Sequence, residues 1–216
     1  PHYFLGEALK NTGDCAGAVT AWEVSEEQKV ILTLPEFVPG LRAGYKECQG
    51  KGVLLRDDYR TQVNVTDQVY KDAFDLSARI DKVKDANQDL WRPDVQAEFE
   101  RARSDLGLAQ KALVRGRQTR FLADFSESRT LSTRAASALR PLEARLGAAI
   151  STRTLLAQQA IEVQQVLSGA ETTDRAVDAT KVALSPPLVA SRESARAIMN
   201  RARERLALAE KTENAA

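Results

Sequence analysis

The chain predicts an all-α fold: a helical hairpin unit with a packing helix, set on an antiparallel helical bundle. Apolar residues recur at steps of three and four through most of its 216 residues, the period that places them on one face of an α-helix. The later segments are rich in Ala, Leu and Arg, which are strong helix formers. Val30–Leu34 and Val63–Val65 are the only β-branched or aliphatic clusters, and both are too short to support a sheet.

The first element spans Tyr3 to about Asn11, with Tyr3, Leu5 and Leu9 as bulk and Gly6 and Ala8 as small residues. Gly13-Asp14 stops it and caps the second helix. There Ala18, Trp22 and Ser25 share one face. Small residues against an aromatic allow two antiparallel helices to approach closely.

The residues Leu5-Gly6, Leu9, Gly13-Asp14, Ala18, Trp22 and Ser25 resemble one tetratricopeptide repeat. Leu41, Gly44 and Tyr45 resemble the start of a second, but the next glycine turn and helix are missing. The resemblance implies a single repeat-like unit over residues 3–48 and a protein-contact fold, without naming the partner.

Cys15 opens the second helix and Cys48 closes the third. If the two helices fold back through a Leu32–Pro35 loop, the cysteines stand level and a disulfide is geometrically reasonable. The alternative is a pair of free buried thiols. A disulfide would indicate an oxidising compartment.

Gln49-Gly50-Lys51-Gly52 is a flexible break, which marks a subdomain boundary between residues 1–50 and an antiparallel Ala-rich bundle over 51–216, the two expected to form one continuous globule. A long helix begins near Arg56–Tyr59, with Val69, Ala73, Leu76, Ile80, Val83, Asn87 and Leu90 as its seam. Trp91-Arg92-Pro93 ends it. The next helix carries Val95, Phe99, Ala102, Leu106, Ala109 and Leu113, and Gly116 closes it. This stretch resembles alanine-rich helical domains of the Gram-negative periplasm, often found near outer-membrane anchoring modules.

From Gln118 to Ser168 the pattern stays helical, with Ser126, Ser128, Ser132 and Ser137 making one face small and polar. Pro141 should kink or divide the helix, and Gly147 offers another break. Leu156, Ala160, Val163 and Leu167 form a further seam ended by Ser168-Gly169. Thr172-Thr173-Asp174 can cap a short helix to about Ala183, and Ser185-Pro186-Pro187 is a stop. The last helix, from about Val189 to Lys211, should bury Ala195, Ile198, Ala202, Leu206 and Ala209. Arg192, Arg196, Arg203 and Glu210 fall on its opposite side. Thr212–Ala216 should fray.

Composition narrows the function. With 31 Lys+Arg against 30 Asp+Glu, a net charge of +1 gives no pull toward nucleic acid or anionic membrane. No apolar run approaches the roughly 20 residues that span a bilayer. Pro1 reads as a trimming point, so a leader or lipid anchor removed with it would allow peripheral or anchored membrane association. His2 is the only histidine, which argues against Ser-His-Asp or Cys-His catalysis. Metal-ligand spacing and phosphate-binding glycine loops are absent from the sequence. No cofactor is expected. Arg115, Arg117 and Arg120 form a basic cluster that reads as solvated surface, with a phosphate or headgroup site as the alternative.

The expected function is therefore that of a non-enzymatic periplasmic adaptor or scaffold of the bacterial cell envelope, with an envelope protein partner and an association with the outer membrane. The alternative is a carrier of a lipid or other apolar molecule in envelope lipid transport. Its ligand would occupy a cavity between helices lined by Phe121, Phe125, Leu131, Leu155 and Leu156.

Overall fold

The computed structural model describes residues 2–180 and 182–214, with the backbone alone for Leu32 and residues 210–214. The fold is all-α. The described helices are α1 (His2–Asn11), α2 (Cys15–Glu27), α3 (Val38–Gly50), α4 (Arg56–Ala86), α5 (Pro93–Thr119), α6 (Leu122–Ala179) and α7 (Pro186–Asn214). Short 3-10 turns at Ile31–Thr33, Pro35–Phe37 and Gln88–Leu90 complete the order. Two compact units emerge, one of Pro1–Ala86 with Trp91–Glu143 and one of Asn87–Leu90 with Ala144–Ala216.

In the first unit, α1, α2 and α3 close around Trp22, which is fully buried. Glycine lies on either side of the indole. A Cβ on Gly6 of α1 would stand 2.8 Å from Cε2, and one on Gly44 of α3 would stand 2.9 Å from Cζ2. The indole N–H donates to the Tyr3 carbonyl at 3.3 Å, and Tyr45 meets the ring edge-on at 5.4 Å between centroids. The turn between α1 and α2 needs Gly13 at φ +89°. Asp14 then caps α2, its carboxylate accepting from the Gly17 N–H at 2.8 Å, which satisfies a donor the helix cannot.

The break after α3 does not separate units. Val53 is buried with Cys15, Trp22 and Cys48, and it forms an isolated antiparallel bridge with Phe121. The Leu54 N–H donates to the Arg120 carbonyl at 2.9 Å and the Leu122 N–H to the Gly52 carbonyl at 3.1 Å. These bonds fasten the segment after α3 to the α5–α6 junction. A boundary at residue 50 therefore gives way to a unit that runs through α4, α5 and the first part of α6.

Ion pairs fix the directions of those three helices. Asp67 meets Arg117 while Asp81 meets Arg103, so α4 and α5 are antiparallel. Asp105 meets Arg134 and Arg115 meets Asp124, so α5 and α6 are antiparallel too. Ile80, Phe99, Phe125, Leu139 and Leu142 fill the space between them. All six seam residues expected on α5 are buried. α4 is shorter than its seam suggests: it ends at Ala86, leaving Asn87 outside it and Leu90 in the following 3-10 turn.

Gly116 does not end α5. Lacking a Cβ, it lets Phe125 approach (a Cβ there would be 3.2 Å from Cζ), and the helix continues one turn to Thr119. Arg120 ends it in the left-handed region at φ +58°, its N–H donating to the Gly116 carbonyl at 2.8 Å. Left-handed backbone costs a non-glycine residue roughly 1–2 kcal/mol, and the tertiary bonds of Arg120 hold it there.

Pro141, Gly147 and Ser168-Gly169 do not divide the next segment, since α6 is continuous from Leu122 to Ala179. Leu139 and Leu142 are fully buried on either side of Pro141, so packing carries the helix through the missing hydrogen bond. A helical glycine costs only about 1 kcal/mol. Nor do Thr172 and Thr173 cap a new helix: their hydroxyls donate back to the Ser168 and Gly169 carbonyls. In place of the expected helix to Ala183, α6 ends at Ala179. The end expected to fray runs into residues 215 and 216, which lie outside the described residues, as does Pro1.

Candidate functional site

In the second unit, the later part of α6 runs antiparallel to α7. Arg192 reaches Asp174 at 2.5 Å and Asp178 at 2.7 Å. Arg196 reaches the same two carboxylates at 2.7 and 2.9 Å, and Arg203 pairs with Glu171. The arginines thus face α6 rather than the far side of α7. The Glu210 side chain lies outside the described residues. Hydrogen bonds from Arg196 and Arg192 hold the Asp174 carboxyl below its ordinary value.

Beside this row of charge runs an apolar groove of about 940 Å³. Val166, Ala170 and Val177 line it from α6, and Leu188, Ala195 and Ile198 from α7. Val166 is 72% exposed and Ile198 is 59% exposed. The stripe expected to be buried on α7 is therefore mostly uncovered: Ala195 and Ala209 are exposed, and Ala202 and Leu206 are only half-buried. The spacing identifies the stripe, but a two-helix hairpin cannot enclose its own apolar faces.

The five residues expected around a cavity fall in both units. Phe125 and Leu131 are buried in the first, where Phe121 is exposed. Leu155 and Leu156, in the second, are 54% and 56% exposed. No pocket of either unit can contain all five. Helical spacing makes each residue apolar-facing within its own stretch of α6, without saying that one helix crosses two units.

Cys15 and Cys48 are joined by a disulfide with Cα atoms 5.4 Å apart. Such a bond is compatible with an oxidising compartment. Nearby, burial together with a hydrogen bond to Glu26 pushes the Tyr45 hydroxyl well above its ordinary range. Trp91 packs edge-on against Phe99, with Lys84 over its ring.

The three arginines at the α5–α6 junction do not form an open basic cluster. Arg115 bonds Asp124 and Glu127, and Arg117 bonds Asp67. Arg120 is buried, donating to Glu23 at 2.9 Å. Glu23 lies 97 residues from Arg120, and Asp67 lies 50 residues from Arg117, so neighbours in sequence give no sign of these two pairs.

Among the described residues, no helix is long and apolar enough to cross a membrane, and no three His, Cys, Asp or Glu side chains are grouped to hold a metal ion. No family model matches the chain, and no curated protein or solved structure matches it significantly.

Proposed function

We propose that this protein is a non-enzymatic adaptor or scaffold of the bacterial cell envelope that acts through protein–protein contacts in the periplasm. The observation that carries this reading is the uncovered apolar face of α6 and α7, open as a groove along the surface. Contiguous exposed apolar surface of this kind marks an interaction site, and a groove between two helices accommodates further helices. The packing of α1 on α2 and the Gly6–Trp22–Gly44 stack support a rigid contact element within the first unit. The disulfide supports an oxidising location.

The rival reading is a carrier of a lipid or other apolar molecule, favoured by the aliphatic lining of the same groove. A photo-crosslinking residue at Ile198, activated in cells with the protein in its own compartment, separates the two. Adducts at protein masses, absent when the probe sits at exposed Gln96 of α5, are expected. Adducts of lipid mass alone would replace the adaptor with the carrier.

A further inference from the structure

We infer that the protein covering the α6–α7 face is a second copy of this chain, the two hairpins closing into a four-helix bundle about a two-fold axis. The inference rests on the reading that this face takes protein rather than lipid.

Size is the first argument. α7 has 29 residues, about 44 Å of helix at 1.5 Å per residue. With helix axes 8–10 Å apart and side chains adding width, a hairpin face roughly 20 Å across offers on the order of 900 Å². A stable interface takes about 800 Å² from each partner. Apolar exposure also runs past the groove: Leu155 lies on the stripe of Val166, three helical turns earlier, and is itself exposed. A second hairpin of equal length covers that distance, whereas a short peptide does not.

Charge is the second argument. A two-fold interface sets a surface against its own copy, so any unmatched charge at its centre meets the same charge. Here Asp174, Asp178 and Glu171 are matched within the hairpin by Arg192, Arg196 and Arg203. The charges of Asp174, Asp178 and Glu171 are thus neutralised within the hairpin, and Glu162 is the further acidic residue along the lining.

Shape agrees. Ala170, Ala195 and Ala202 alternate with Val166, Val177, Leu188 and Ile198 along the groove. Small positions receive large side chains when two such faces interdigitate, as in bundles built from helical hairpins.

The test is sedimentation equilibrium of the full, disulfide-bonded chain over a concentration series, with Val166→Asp, Ile198→Asp and the milder Ile198→Ala. The expected result is a species of twice the 23.7 kDa of one chain. Its dissociation constant should rise about tenfold or more for each aspartate and by a smaller factor for alanine, with helical circular dichroism unchanged. If an aspartate variant loses its helicity, the alanine variant decides. A chain monomeric throughout, or a dimer indifferent to a folded variant, overturns the inference. Monomers that still crosslink from Ile198 to another protein would remove self-pairing and keep the adaptor; monomers that crosslink only to lipid would remove both.

Discussion

The Arg120 guanidinium lies 2.9 Å from the Glu23 carboxylate and 4.6 Å from the centroid of the Tyr59 ring. Glu23 is 7% exposed and Arg120 is 9% exposed. The pair joins α2 to the α5–α6 junction. Removing Glu23 leaves the buried Arg120 charge uncompensated, at a cost of about 3–5 kcal/mol, whereas Glu23 without Arg120 keeps Arg56 at 3.8 Å. Glu23→Gln is expected to lower unfolding stability by that order in urea titration, and Arg120→Ala by less. Replacing both by apolar residues, Glu23→Leu with Arg120→Met, is expected to restore most of the loss. If the double variant is as unstable as the sum of the singles, the pair is not the origin of the effect.

Trp22 imposes a demand on two glycines. Gly6→Ala and Gly44→Ala each drive a methyl into the indole and should destabilise by about 1–3 kcal/mol through overpacking. Gly107 is the contrast, helical with nothing near its absent Cβ. Gly107→Ala is expected to stabilise by roughly 0.5–1 kcal/mol. Thermal melts of the three variants, followed by circular dichroism, should give opposite signs.

The disulfide closes a 33-residue separation, for which loop-closure entropy suggests about 4 kcal/mol. Cys15→Ser with Cys48→Ser should lower stability by that order. Both sulfurs are buried, so native protein should resist mild reductant while urea-loosened protein should not. Thiol labelling across a urea series reports this directly.

Asp174 gives the α6–α7 hairpin a defined pH response. Its folded value is lowered by Arg196 and Arg192, so its contribution is present above the ordinary value of 3.8 and is lost as pH falls through the lowered one. Protection factors of the α7 amides against hydrogen exchange, taken relative to the intrinsic rate at each pH, should therefore fall below about pH 4. Asp174→Asn should show the lowered protection already at neutral pH, and lose the acid response.

Much of this architecture is legible from periodicity. The α5 seam from Val95 to Leu113 is buried throughout, and Asp14 caps α2 where local chemistry places it. What escapes a sequence reading is long-range. Local breakers such as Pro141, Gly147 and Gly169 cost less than the packing that carries α6 past them. An arginine at residue 120 looks solvated until Glu23 is brought to it. The apolar stripe of α7 is visible as Ala195, Ile198 and Ala202, but periodicity cannot report whether a neighbour covers it. For that reason the groove, the most useful functional clue, comes from the structure alone.

The central claim is that the apolar α6–α7 face engages protein rather than an apolar small molecule. Native mass spectrometry of protein purified from its own compartment without refolding, paired with organic extraction of the same sample, tests it most directly. The account predicts masses that are sums of polypeptide chains and an extract free of stoichiometric lipid. One bound lipid per chain, displaced by Ile198→Asp, would contradict it and make the groove a carrier's binding site.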